Sequence, residues 1–311
     1  MNIVLATDKN FVEHCATTIM SILRNNHSVS IYVLTGGLPI EDSLKLEKLV
    51  KENNGKFYLI TVSNRTFEKF PMPKDRTLAH ISLATYYRLF ISDLLPNDID
   101  KVIYMDCDII VRKSLDNLWN IPMGDKALGA VFQIAEWNSD AIKRLQYPIK
   151  FGYFNAGVLL INLAFWREHG IVYKLLQYIK ENEERIVYHD QDVLNAVLHE
   201  HTLRLSCKWN MLTSYFKKTI FTICDRNDEG KIICNHDDYK AIIKKEAIDP
   251  IVVHFVSRPK PWEKYCWHPY KSQYIYYAKL CGYRPNTGLY DSFLYYLSVL
   301  YRKFGFSPYF S

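Results

Sequence analysis

The chain has 311 residues, 49% apolar and 23% charged, which suffices for one large α/β core or for a core with an appendage. Its net charge of +6 resides in residues 258–311, which carry eight Lys/Arg against two Asp/Glu, while residues 1–257 balance 31 against 31. A charge confined to one segment excludes a general nucleic-acid coat, seven scattered cysteines with no C-x-x-C pair exclude a disulfide framework, and no run reaches the ~18 apolar residues of a membrane span.

The run at residues 3–6 reads as a buried strand, followed by Asp8, an acid where the hydrophobic core of an export signal would continue. With the unpaired thiols, this leads to an expectation of a reducing cytoplasm. Residues 11–23 place Cys15, Ile19, Ile22 and Leu23 at helical spacing. A second strand at 31–34 closes on Gly36-Gly37, a helix follows at 44–50, and a third strand at 57–62. Strand–helix–strand–helix–strand predicts one Rossmann-like, mostly parallel sheet with helices on both faces.

Residues 78–95 read as helical up to Pro96, and the polar stretch 73–80 before them is a candidate closing loop. A strand at 101–105 ends in Asp106-Cys107-Asp108. Ligands of open α/β sheets bind beyond the carboxyl ends of strands, so Asp8 and Asp106 present carboxylates to one edge. Further strands are predicted at 127–133, 157–163 and 251–255, and helices at 164–180 and 192–199.

Two carboxylates flanking one residue at a strand end suit a hard divalent ion such as Mn²⁺ or Mg²⁺, shared with substrate phosphates. His254 stands at another strand end, and a neutral imidazole completes such a site. Lys260 then neutralises a departing diphosphate. Arg88 is a bidentate donor for hydroxyl or phosphate oxygens, or one half of a surface salt bridge. Asn155 precedes a very apolar strand, at its mouth or in an ordinary turn. Asp190 and Asp192 precede a helical run, and one of them caps it.

In order, Ala6-Thr7-Asp8-Lys9-Asn10, His80-Ile81-Ser82 with Tyr86 and Arg88, Tyr104 to Asp108, Phe154 to Leu163, His189 to Asn195, and His254 through Lys260-Pro261-Trp262 form a specific set. Over residues 1–262 the chain resembles glycosyltransferase family 8, which includes bacterial lipopolysaccharide galactosyl- and glucosyltransferases and glycogenin. It resembles most the lipopolysaccharide α-1,4-galactosyltransferase type. The resemblance implies a GT-A fold, a UDP-hexose donor carrying galactose or glucose, and a lipopolysaccharide or other cell-surface glycan acceptor. It implies Ala6, Thr7, Asp8 and Asn10 around the uridine, and Mn²⁺ on Asp106, Asp108 and His254. Lys260 would hold the diphosphate, and Arg88, Asn155, Asp190 and Gln191 would surround the hexose. Ser257 stands where a family member has Gly, near the phosphates.

The resemblance further implies retention of anomeric configuration. Asp190 is the one plausible carboxylate nucleophile, and the amide of Gln191 is a poor one. Front-face substitution is the favoured expectation, with the leaving phosphate helping to deprotonate the acceptor. A metal-dependent nucleotidyltransferase and a non-catalytic UDP-sugar-binding protein are the alternatives.

Residues 263–311 read as an appendage, helical in part, and not as a second core. From Arg258 onward lie 17 of the 45 aromatic residues, mixed with the excess basic ones. That combination suits an anionic membrane surface on the cytoplasmic side, the alternative being a helical cap on the catalytic domain.

Overall fold

The first apolar run forms β1 (Asn2–Ala6), paired in parallel with β2 (Ser30–Thr35), which pairs in parallel with β3 (Lys56–Thr61). The crossovers are α1 (Val12–Asn25) and α2 (Ile40–Glu52); α1 buries Cys15, Ile19 and Ile22 at the expected helical spacing. The structure, a computed structural model, describes residues 1–63, 83–135, 137–226, 232–234 and 236–285. The candidate closing loop and His80, Ile81 and Ser82 lie outside the described residues. From Leu83 the expected helix is a 3₁₀ segment, Leu83–Phe90, running into the short α3 (Ile91–Leu94).

The chain continues through β4 (Lys101–Met105), β5 (Ile109–Val111), α4 (Asp116–Trp119), β6 (Leu128–Phe132), α5 (Asn138–Leu145) and β7 (Phe154–Asn162). There follow α6 (Leu163–Glu168), α7 (Ile171–Glu181), α8 (His189–Leu198), β8 (Thr202–Leu205) and β9 (Met211–Leu212). A small hairpin, β10 (Asp225–Arg226) and β11 (Ile232–Cys234), leads to α9 (Asp237–Glu246), β12 (Val252–His254) and α10 (Lys271–Leu280).

The central sheet has the order β3-β2-β1-β4-β7-β6-β8. β1 and β4 are parallel neighbours, so the segments holding Asp8 and Asp106 do leave the same edge. β7 is antiparallel to both β4 and β6. It also begins earlier than the sequence suggests: Phe154, Asn155 and Ala156 are inside the strand, not in a turn before it. The reversed direction brings the start of β7 to the edge where β4 ends, and the Asp106 N–H donates to the Gly157 carbonyl (2.9 Å). β7 is buried at its first eight positions, each large apolar one contributing roughly 1.5–3 kcal/mol.

Two further boundaries differ from expectation. The single helix expected over 164–180 is two, because Gly170 takes a left-handed conformation (φ 56°) between α6 and α7. α8 begins at His189, which puts Asp190 and Asp192 in its first turn. Asp192 reaches back to accept the N–H groups of Val187 and Tyr188 (2.8 and 2.7 Å), so the capping role belongs to it and not to Asp190.

One apolar layer lies between the sheet and α1, α2 and α10; the other lies under the 3₁₀ segment, α3, α6, α7 and α8. A second sheet, β5-β12-β9, pairs His254 opposite Ile109, just beyond the two carboxylates. α10 packs on α1, where Tyr274 hydrogen-bonds His14 (2.7 Å) and Tyr277 accepts from Asn25 (3.0 Å).

Candidate active site

Three side chains from distant parts of the chain meet where β4 ends. Ligand atoms of Asp106, Asp108 and His254 lie within 4.8 Å of one another. His254 Nε2 is 3.1 Å from Asp108 Oδ1 and 3.8 Å from Asp106 Oδ2. The other oxygen of each acid is already engaged. Asp106 Oδ1 accepts from Arg88 (2.8 Å) and from the Tyr104 hydroxyl (3.0 Å), and Asp108 Oδ2 accepts from Lys260 (2.6 Å). Asp106 Oδ2, Asp108 Oδ1 and His254 Nε2 therefore converge, an oxygen-rich set with one imidazole that fits a hard or borderline divalent cation. Gly157 leaves the room: a Cβ there would sit 2.1 Å from His254 Cε1 and 2.9 Å from Asp106 Oδ2.

Burial alone would push the Asp108 carboxyl up, but the Lys260 ammonium beside it holds it well below the usual carboxylate range. Lys260, itself buried, also donates to the Phe255 carbonyl (2.7 Å). Arg88 is no surface residue. It is 6% exposed and reaches Asp106, Asp190 Oδ2 (2.8 Å) and the Ala156 carbonyl (2.6 Å), with its guanidinium over the Tyr104 ring (4.3 Å). Asp190 takes a second hydrogen bond from Thr85 (2.6 Å). Burial holds its carboxyl up at about 6 even so.

Asn155 Nδ2 and the Ala156 N–H both donate to Gln191 Oε1 (3.0 Å each), and Gln191 Nε2 donates to Tyr153 (3.2 Å). The residues expected on the nucleotide side fall into two groups. Ala6, Thr7 and Asp8 line an open cleft together with Arg88, Asp106, Asp108 and Lys260. Asn10 is exposed beside it, its N–H on Asp8 Oδ1 (2.8 Å). Ser257 is exposed on the loop after β12 in a left-handed conformation (φ 71°), the region glycine favours. Trp262 stacks on His14 (3.6 Å between centroids), whose imidazole burial pushes down to about 4.

Sequence reasoning passed over Thr85, Tyr104 as a partner of Asp106, Gly157 as the space beside the ligands, and Asn210, which faces His254 Nδ1 (2.9 Å). Asn210 follows Trp209 with no motif around it, so the sequence gives it no signal. A second group of metal-ligand types, Asp225, Cys234 and His236, lies on the hairpin. There one imidazole nitrogen turns to each partner (2.9 Å to Asp225, 3.5 Å to Cys234), an arrangement that stitches the hairpin to the start of α9.

Known proteins are similar to this chain in sequence and fold. General stress protein A of Bacillus subtilis (strain 168) is 28% identical over 285 residues, 89% of this chain and 92% of that protein. The lipopolysaccharide 1,3-galactosyltransferase of Salmonella typhimurium (strain LT2) is 28% identical over 285 residues, 89% of this chain and 77% of that protein. The crystal structure of the galactosyltransferase LgtC in complex with donor and acceptor sugar analogues matches with a TM-score of 0.79 at 26% identity, over 92% of this chain and 98% of that one. The sheet and its flanking helices are those of the GT-A fold seen there. Residues 2–266 match the family described as glycosyl transferase family 8. The chain belongs to that family and is a glycosyltransferase.

Proposed function

We propose that this glycosyltransferase moves galactose or glucose from a UDP-sugar to a lipopolysaccharide-type or other cell-surface glycan, with retention at the anomeric carbon and with Mn²⁺ or Mg²⁺ bound. The observation that carries the reading is the convergence of Asp106 Oδ2, Asp108 Oδ1 and His254 Nε2 on the cleft walled by Ala6, Thr7 and Asp8. A bound divalent cation supplies Lewis-acid neutralisation of the charge that gathers on the diphosphate.

The chain's own residues do the rest. Ala6, Thr7, Asp8 and Asn10 hold the uridine. Lys260 adds a cation beside the diphosphate, with Ser257 on the neighbouring loop. Arg88, Asn155, Asp190 and Gln191 surround the hexose. Both oxygens of Asp190 already accept hydrogen bonds, and Gln191 Oε1 accepts two. That engagement favours front-face substitution over a covalent intermediate: the acceptor oxygen bonds to the anomeric carbon, the carbon–phosphate oxygen bond breaks, and the hydroxyl proton passes to the leaving diphosphate. Asp190 and Gln191 then hold Arg88 and Asn155 in place around the sugar.

The test is UDP release and product stereochemistry for UDP-galactose and UDP-glucose, with a lipooligosaccharide acceptor, in Mn²⁺ and in chelator. Retained configuration and loss of turnover in chelator are expected. An intact UDP-sugar pool under all metal conditions would overturn the reading.

The domain organisation proposed is a catalytic unit at 1–262 and a segment at 263–311 that caps it and meets an anionic membrane from the cytoplasmic side. The excess of Lys/Arg and aromatic residues after Arg258 supports this. Among the described residues no helix is long and apolar enough to cross a membrane, and residues 286–311 lie outside them. Deleting 286–311 is expected to abolish binding to phosphatidylserine vesicles while turnover of a soluble acceptor persists. Unchanged vesicle binding would refute it.

A further inference from the structure

The structure assigns to Asn210 the task of fixing the tautomer of His254, so that Nε2 turns an unshared pair toward the cation site. The inference rests on the metal reading above and on hydrogen-bond polarity.

One backbone group sets the polarity of the whole network. The Gly157 N–H can only donate, and it lies 3.0 Å from one side-chain atom of Asn155, which must be Oδ1. Asn210 approaches that same oxygen at 2.8 Å and must present its Nδ2. Its Oδ1 is then the atom 2.9 Å from His254 Nδ1. An amide oxygen cannot donate, so Nδ1 carries a hydrogen, and whenever the ring is neutral its lone pair is left on Nε2.

The far end of the chain gives the same answer. The Asp192 carboxylate, ion-paired with Arg144 (2.9 Å), accepts from the Tyr153 hydroxyl (2.7 Å), which accepts from Gln191 Nε2 (3.2 Å). Gln191 Oε1 is left for Asn155 Nδ2, and the Ala156 N–H on that oxygen fixes it a second time. Five hydrogen bonds thus point one way, from His254 through Asn210, Asn155, Gln191 and Tyr153 to Asp192. Asn210 is wholly buried, and His254 and Asn155 are nearly so, which keeps water from substituting for a partner. The same amides that surround the proposed hexose therefore also orient a proposed metal ligand. Asn210 is a positioning residue, acting through His254.

The test reads the tautomer directly, by long-range ¹H–¹⁵N correlation of imidazole-labelled, metal-free protein, with His254 assigned from a His254→Gln spectrum. At a pH where the ring is neutral, the wild type is expected as the Nδ1–H tautomer. Asn210→Asp, which still accepts from Nδ1 but cannot donate to Asn155, is expected to keep it. Asn210→Leu is expected to lose that preference, and its Mn²⁺ affinity by titration calorimetry to fall by roughly 10–100-fold, the usual cost of losing a partner behind a metal-bound histidine. A neutral wild-type ring whose single proton sits on Nε2 overturns the proposal without any variant having to fold. So does an Asn210→Leu protein with unchanged tautomer and affinity. A wild-type protein that shows the Nδ1–H tautomer but binds no Mn²⁺ overturns the metal reading instead, and the two failures are told apart because the tautomer is read without metal.

Discussion

Gly157 and His254 stand so close that a single added methyl group would overlap the imidazole, 2.1 Å from Cε1 and 2.6 Å from Nδ1. Gly157 sits in β7 between Asn155 and the strand pairing with β4, so its backbone has little freedom to retreat. Gly157→Ala is expected to displace the ring, to weaken Mn²⁺ binding by roughly tenfold or more, and to cost about 1–3 kcal/mol of stability through overpacking. Gly129→Ala is the control. Its Cβ would meet the Leu205 side chain at 3.1 Å, a flexible neighbour on the same sheet, and Mn²⁺ binding should be unaffected. Calorimetric titration and urea unfolding of both variants decide the point.

Mn²⁺ should stabilise the folded protein, because the three ligand atoms converge only there. At a concentration of ~100 Kd the gain is about 2.7 kcal/mol, visible as an upward shift in Tm. Asp106→Asn is expected to abolish most of that shift and most of the turnover. A full shift in the variant would show that the cation binds elsewhere.

Asp190 supplies a pH signature. Burial raises its carboxyl from the usual 3.8 to about 6, against the pull of Arg88 and Thr85. The folded state therefore holds this proton more tightly than the unfolded state does. The contribution is fully present below about pH 4 and is lost as the pH rises through about 6, up to about 3 kcal/mol at 1.36 kcal/mol per unit. Asp190→Asn, which mimics the neutral form, should gain stability relative to wild type between those limits while losing turnover. Urea unfolding of metal-free protein at both ends of the window measures it. A stability difference between the two proteins that stays flat with pH would contradict the assignment.

Ser257 occupies a left-handed conformation that a side chain disfavours by about 1–2 kcal/mol, part of which glycine returns as chain entropy. Ser257→Gly should raise stability by about 0.5–1 kcal/mol, read as a small rise in Tm. No rise would mean that the serine hydroxyl compensates for its backbone.

Much of this was legible in the residues, and the gaps have physical causes. Hydrophobic runs located β1 to β4, β6 and β7 of the large sheet, since an apolar run marks a strand whatever its direction; the partly exposed edge strand β8 was passed over. The antiparallel course of β7 was not legible, because an apolar run does not state its partner. Asp106, Asp108 and Lys260 were legible as chemistry waiting for geometry. Arg88 read equally well as a surface ion pair, and only packing shows it sealed between two acids and the Tyr104 ring. Asp190 and Asp192 were inseparable on paper, since both suit a helix start; what separates them is Thr85 and Arg88 on one and two backbone amides on the other. Asn210 and Gly157 carry no motif at all, because their value lies in what stands opposite them.

The three-stranded sheet has a consequence for how the protein matures. β5 follows the two acids, but its partners β9 and β12 are drawn from residues 211–212 and 252–254. A growing chain that has passed residue 200 has both carboxylates and most of the large sheet, yet neither the imidazole nor Asn210. Synthesis therefore completes the proposed cation site only after the scaffold that presents it.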